Sequence, residues 1–180
     1  MAACRKGLHP GGQTSNADSL DTDMAGAAPL SPMGPRESEQ WSAAAAGDAE
    51  EAMRLIDVLG CDGVRERAAR AELRITAIRA MQHCVDFSEL PWLVHVAAGG
   101  GDAEARAALE TIDDLAATPR RATDPEDGDE LHAGCVSLLS LARESATPRE
   151  RRVLAVRALR MLSDRGCVTR SEIPKDLDPR

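Results

Sequence analysis

Aromatic side chains are almost missing from this 180-residue chain: two Trp, one Phe and no Tyr make up 2% of it, although 43% is hydrophobic. Its core must therefore be assembled from Ala, Leu, Val, Ile and Met. A sheet would call for the aromatic and β-branched residues that are scarce here, whereas small aliphatic residues carry high helix propensity and let helices approach closely. The composition predicts an all-α fold of helix packed on helix. Long apolar runs are absent too. Nothing approaches the roughly 20 consecutive apolar residues that span a bilayer, so no transmembrane segment is expected and the chain as written is assigned to the cytoplasm. Positive charge is in deficit, with a formal net charge of −8 and a pI near 5.0. Because affinity for nucleic acid rests on neutralising phosphates with Lys and Arg, the expected partner is another protein, not nucleic acid.

Catalytic signatures are likewise lacking. No Gly-rich phosphate cradle follows a strand, no Ser elbow occurs, and no His-Glu-x-x-His lies on a helix. The chain is read as not an enzyme, with no catalytic residue, no metal and no cofactor assigned. The five cysteines, Cys4, Cys61, Cys84, Cys135 and Cys167, form no Cys-x-x-Cys pair and have no zinc-site spacing. They are read as small apolar packing residues, with a Cys135–Cys167 disulfide left open should the protein be exported. His132 and Cys135 share a helix face and could supply two soft metal ligands, but two ligands do not make a site, and His83 beside Cys84 points elsewhere.

Pro and Gly divide the chain. Residues 1–47 carry much of both, keep no apolar period and are expected to be a disordered tail or tether, with the run Trp41 to Ala46 left open as either the beginning of the first helix or a frayed stretch. Within it, Met1-Ala2-Ala3-Cys4 resembles the end of a bacterial lipobox, which makes Cys4 a candidate lipidation site and a membrane-anchored lipoprotein the alternative location if the gene start lies further upstream. Order is expected from Asp48, an N-cap ahead of Glu50 and Glu51. A first helix buries Met53, Leu55, Ile56 and Leu59 and ends at Gly60. A second runs from about Gly63 to Cys84 with a break near Ala71, carrying Ala77, Ile78, Ala80 and Met81 inward.

A third helix is capped by Ser88, with Pro91 in its first turn and Leu90, Leu93, Val94 and Ala97 as its stripe. Gly99 to Gly101 stop it, and Asp102 caps a fourth whose Ala105, Ala108, Leu109, Ile112, Leu115 and Ala116 follow the i, i+3, i+4, i+7 template. The stretch from Thr118 to Gly128 is read as an exposed loop. Its acids Asp124, Glu126 and Asp127, with Asp129 and Glu130, lack the spacing of a calcium loop and suit a helix N-terminus. A fifth helix starts near Asp129 with Leu131, Cys135, Leu138, Leu139 and Ala142 on one face, widened by Val136 and Leu141. Thr147, Pro148 and Glu150 announce a sixth, apolar over most of its circumference from Val153 to Leu162. Residues 167–180 form a C-terminal extension that packs Val168 and Ile173 before fraying. Arg149, Arg152, Arg157 and Arg160 cluster on the sixth helix and, with Arg151, Arg120 and Arg121, make a basic surface suited to an acidic partner.

Short links force antiparallel neighbours, and one amphipathic hairpin cannot hide its own apolar face, so the pairs must stack. Arg74-Ile75-Thr76-Ala77-Ile78-Arg79-Ala80-Met81 matches Arg152-Val153-Leu154-Ala155-Val156-Arg157-Ala158-Leu159 position by position. These segments resemble the second helices of the HEAT-repeat family, which read Arg-x-x-Ala-Leu-x-Ala-Leu, and Pro91 stands where that family places an early Pro. The likeness covers residues 48–166 in roughly three pairs; the middle unit departs from it, because Arg106 precedes Leu109 and Ile112 without the Ala in its place. The resemblance implies a short right-handed α-solenoid of antiparallel helix pairs, and a non-enzymatic protein–protein interaction or scaffolding module. It leaves room for a helical-repeat enzyme of lyase or nucleic-acid repair type and for a structural envelope lipoprotein domain such as a bacterial HEAT-repeat lipoprotein. About three pairs are near the minimum for a stack that is stable alone, so its end faces are expected to be either polar caps or contacts to another copy, that is, self-association.

Overall fold

The computed structural model describes residues 32–118 and 125–177, and of residues 125–127 the backbone alone. Among the described residues the fold is all-helical: α1 Pro35–Ala45, α2 Ala49–Arg67, α3 Arg74–Ala80, α4 Leu90–Gly99, α5 Asp102–Ala117, α6 Pro125–Arg143 and α7 Arg149–Ser163, with a 3₁₀ turn at Met81–His83 after α3. No helix among them is long and apolar enough to cross a membrane.

Regular structure begins earlier than Asp48. Gly34 is the extended N-cap of α1, Pro35 takes a first-turn position and Glu37 adds an acid there. Pro and Gly, read as signs of disorder in residues 1–47, are here the start signal of a helix, since a first-turn Pro lacks an N–H that would be unbonded anyway. Trp41 anchors α1 to the core at 2% exposure, and one such ring buries as much apolar surface as several alanines. Asp48 then caps α2 as expected, its Oδ1 accepting from the Glu50 N–H at 3.0 Å and the Glu51 N–H at 3.2 Å.

Gly60 does not end that helix. It kinks it, with φ 73°, and the chain resumes helical turns as far as Arg67. A left-handed residue costs glycine nothing, so the expected boundary becomes a bend and Val64, beyond it, is fully buried. The rotation of α2 also moves its stripe: Ala52 and Leu55 are buried while Met53 is 46% exposed, against expectation. The break foreseen near Ala71 falls across residues 68–73.

Three cap assignments shift by a residue or so. Ser88 donates to Asp86 Oδ1 instead of capping α4, whose N-cap is Glu89. Gly101 precedes α5, with Asp102 inside its first turn, and Pro148 precedes α7, with Thr147 one residue outside. α6 starts at Pro125, ahead of Asp129.

The core stripes of α4 to α7 are as the periodicity requires, Ile112, Leu139 and Leu159 included, except that Val136 is 48% exposed on the outer side of α6 and Val153, Leu154 and Met161 of α7 are half-buried. α4 packs on α5 and α6 on α7; between these, α4 meets α6, and α5 meets both α3 and α7. α1, α2 and α3 pack together at the N-terminal end. At the other end Val168, Ile173 and Leu177 are buried, joining α1 through α7 in one continuous core. α4 and α6 approach closely at Gly134, where a Cβ would stand 2.5 Å from Leu90 Cγ.

The inward pattern repeats along three helices. α3 and the following turn bury Ala77, Ile78, Ala80 and Met81; α5 buries Ala108, Leu109, Thr111 and Ile112; α7 buries Ala155, Val156, Ala158 and Leu159. The middle helix therefore follows the same four-position pattern, with Thr111 in place of an Ala. In this register Ala105, not Arg106, stands where Arg74 and Arg152 stand in the other two.

Candidate functional site

Four arginines are engaged by helix ends. The last carbonyls of a helix have no partner within it and sit at the negative end of its dipole, so a guanidinium laid across them satisfies both needs. Arg74 donates from Nε to the Ala68 carbonyl at 2.9 Å, at the end of α2. Arg152 does the same to the Ala142 carbonyl at 3.0 Å, at the end of α6. Arg151 reaches the Ala97 and Gly100 carbonyls at 3.4 and 3.3 Å and Asp102 at 2.6 Å. Arg165 donates to the Ala116 and Thr118 carbonyls at 3.3 and 2.6 Å, its guanidinium 5.1 Å from the Phe87 ring centre. The turn Gly99–Gly101 thus offers carbonyls to a cation.

This divides the four arginines assigned to a partner. Arg152 is half-buried and turned to α6, so it leaves the candidate surface. Arg149 is exposed. Arg157 lies on the surface and pairs with Asp113 Oδ2 at 2.8 Å. Arg160 lies eleven residues beyond Arg149, on the same side of α7 and about 16 Å along it. With Arg170, Ile173 and Lys175 it lines a shallow groove of about 360 Å³. Arg170 also pairs with Asp164 at 2.7 Å. Arg170 and Lys175 escaped the sequence reading because they fall in the C-terminal extension; buried Ile173, expected to pack, was the signal that the extension stays on the surface of α7.

Charge pairs cross from α5 to α7 in step. Arg106 meets Glu150 at 3.1 Å and Asp113 meets Arg157 at 2.8 Å. Burial pushes the Asp113 carboxyl above its ordinary range, opposed by Arg157 and reinforced by Asp114. Further along, Arg74 of α3 meets Glu104 of α5 at 3.4 Å.

The most deeply buried acid is Glu89, 1% exposed, with both carboxylate oxygens 3.2 Å from Arg65 Nη1. Desolvation pushes its carboxyl up; Arg65 opposes this, while Asp62 and Asp86 add to it. Phe87 is buried two residues away. Arg65 also holds Asp62 at 2.5 Å, so it serves two carboxylates.

Four of the five cysteines are not separate packing residues. Cys61 is joined to Cys84 and Cys135 to Cys167, with Cα–Cα distances of 6.1 and 6.2 Å. The second bond is the one left open from the sequence, and the first was not foreseen. Cys135 in a disulfide has no thiolate for a metal, so its spacing from exposed His132 has no coordination chemistry to offer. His83, beside Cys84, is held below its ordinary pKa by burial. Among the described residues no three or more His, Cys, Asp and Glu gather as a metal would require. Cys4, Arg120, Arg121 and Asp124 lie outside the described residues.

No family profile, curated protein or solved structure matches the chain.

Proposed function

We propose that residues 48–166 form a short right-handed α-solenoid of antiparallel, HEAT-like helix pairs, and that the protein is a non-enzymatic interaction or scaffolding module for another protein. The observation that carries the repeat reading is the twin placement of Arg74 and Arg152. They open the two matching segments, and each donates from Nε to the closing turn of the helix before, at 2.9 and 3.0 Å. A chance likeness in sequence would not bring the same bond with it. The charge pairs agree: Arg106–Glu150 and Asp113–Arg157 keep the same residue offset over seven positions, as two helices running side by side in one direction require.

The binding surface of this reading is the outer side of α7 with the groove beside it, where Arg149, Arg160, Arg170 and Lys175 favour an acidic segment of the partner. Self-association through the end faces is disfavoured, because α1 covers one end of the core and Val168, Ile173 and Leu177 the other. Photo-crosslinkers at Arg149 and Arg160 in the native host are expected to capture one and the same protein, and the double substitution R149E/R160E to release it. Equal capture from Met53, exposed on α2, or retention by the double variant would contradict the surface.

A helical-repeat enzyme is the second reading, favoured by Glu89, a buried acid with a raised pKa near Phe87. Arg65 occupies both of its oxygens, which favours a structural ion pair. A lipoprotein anchored through Cys4 is compatible with the binding role.

A further inference from the structure

We infer that this protein matures in an oxidising, extracytoplasmic compartment, where two disulfides lock the two ends of the helical array. The inference is independent of what the array binds. Each of the four cysteines in the described residues has one partner, at Cα separations of 6.1 and 6.2 Å, inside the span a disulfide bridges. The pairs are far apart in sequence, 23 and 32 residues, so helical spacing alone does not bring them together. Cys84, Cys135 and Cys167 are buried. Cytosolic thiols are kept reduced, and disulfides persist outside that compartment. Two tertiary pairs that use every described cysteine are the mark of cross-linking, and they run against the cytoplasmic assignment made from the sequence.

Their positions say what they are for. Cys61 follows the Gly60 kink in α2 and is tied to Cys84, just past the 3₁₀ turn that follows α3. The bond closes the N-terminal helices on themselves. Cys135 lies in the middle of α6 and is tied to Cys167, which follows Gly166 at the start of the irregular C-terminal segment. That bond fastens to α6 the segment whose Val168, Ile173 and Leu177 cover the last helices. The α4–α5 pair, packed against neighbours on both sides, contains no cysteine. In a linear array each unit is stabilised by its neighbours, and an end unit lacks one of them; the cross-links stand where a neighbour is missing. In each, two thiols give up two electrons and two protons to a disulfide-bearing oxidant of the thiol–disulfide oxidase class, which leaves as a dithiol.

The test is peptide mapping of the full chain from its native host, acid-quenched and alkylated with N-ethylmaleimide before any reduction. Linked peptides Cys61–Cys84 and Cys135–Cys167, from protein in the extracytoplasmic fraction, are expected. Maleimide on these four residues overturns the cross-links, crossed pairs overturn the arrangement, and linked protein in the cytosolic fraction overturns the compartment. Thermal or denaturant melting of the same protein with and without dithiothreitol reads the locking role without any variant. Reduction is expected to raise the unfolding equilibrium constant roughly a few hundred-fold per bond, and an unchanged transition overturns that role.

Discussion

The middle of the molecule and its two ends hide apolar surface by different means. The α4–α5 pair does so by helix packing alone: Leu93, Ala97, Ala105, Ala108, Leu109 and Ile112 are all fully buried, and other helices meet the pair on both sides. The ends have a neighbour on one side only. There the chain recruits the fully buried Trp41, an irregular segment with Val168, Ile173 and Leu177, and two disulfides. Helix packing suffices where helices are flanked on both sides, and other devices appear where they are not.

Truncation separates the two regimes most sharply. Leu109→Ala in the middle should cost about 2–5 kcal/mol through lost transfer energy and an uncollapsed cavity, and denaturant melting should show one cooperative transition shifted as a whole. Trp41→Ala should cost about 3–5 kcal/mol under reducing conditions, and open α1 ahead of the rest. Hydrogen exchange would register this as early loss of protection confined to residues 35–45.

Gly134→Ala attacks the contact between α4 and α6. The added Cβ meets Leu90 at Cγ, not at the end of a flexible side chain, so overpacking of about 1–3 kcal/mol is expected. The double variant Gly134→Ala/Leu90→Ala should recover part of that loss, and a fully additive cycle would contradict the close approach.

The matched arginines offer a finer comparison. Arg74→Ala and Arg152→Ala each remove a charged hydrogen bond to a helix-end carbonyl and should each cost about 1.5–3 kcal/mol. Exposed Arg149→Ala should cost less than about 0.5 kcal/mol. Any larger loss at Arg74 is assigned to its added pair with Glu104 at 3.4 Å, which Glu104→Gln isolates; no loss at either arginine would break the parallel between the two matching segments.

The smallest effect is one of pH. Glu89 is held above its ordinary 4.5, so the folded chain binds that proton more tightly than the unfolded chain. Its contribution to stability therefore rises as pH falls through the raised folded pKa. In denaturant melts the wild type should gain on Glu89→Gln between pH 7 and pH 5. A wild type that loses ground over this range would reverse the assigned direction.

Periodic stripes carried most of the fold into view. Ile112, Leu139 and Leu159 are inside because each sits on a face that repeats at helical spacing and has no other way to leave water. What escaped lies where one residue overrides a local average. Gly34 and Pro35 lowered the apparent order of a segment that they in fact start. Gly60 stands where a stop is normal, yet its left-handed φ bends α2 and lets Val64 rejoin the core. Met53 fits the stripe by composition, but Ala52 and Leu55 set the rotation. The Cys61–Cys84 bond depends on tertiary contact between two stretches that periodicity treats separately.

At the candidate site the arginines were visible and their directions were not. Arg149 and Arg152 look alike in sequence, yet one is exposed and the other is bound to α6. The clue was the matching octapeptide: the arginine that opens each segment is bound to the end of the preceding helix. Arg170 and Lys175 were hidden in a tail whose docking rests on Ile173 and on Cys167.

The side-by-side succession of α3, α5 and α7 is the claim on which the solenoid reading stands. Spin labels at exposed Arg79, Glu110 and Arg157, which share one register position on the three helices, test it by pairwise distance. With axes about 8–10 Å apart, the Arg79–Glu110 and Glu110–Arg157 distances should be similar and the Arg79–Arg157 distance close to twice either. An Arg79–Arg157 distance no longer than the other two would mean a closed bundle and contradict the repeat.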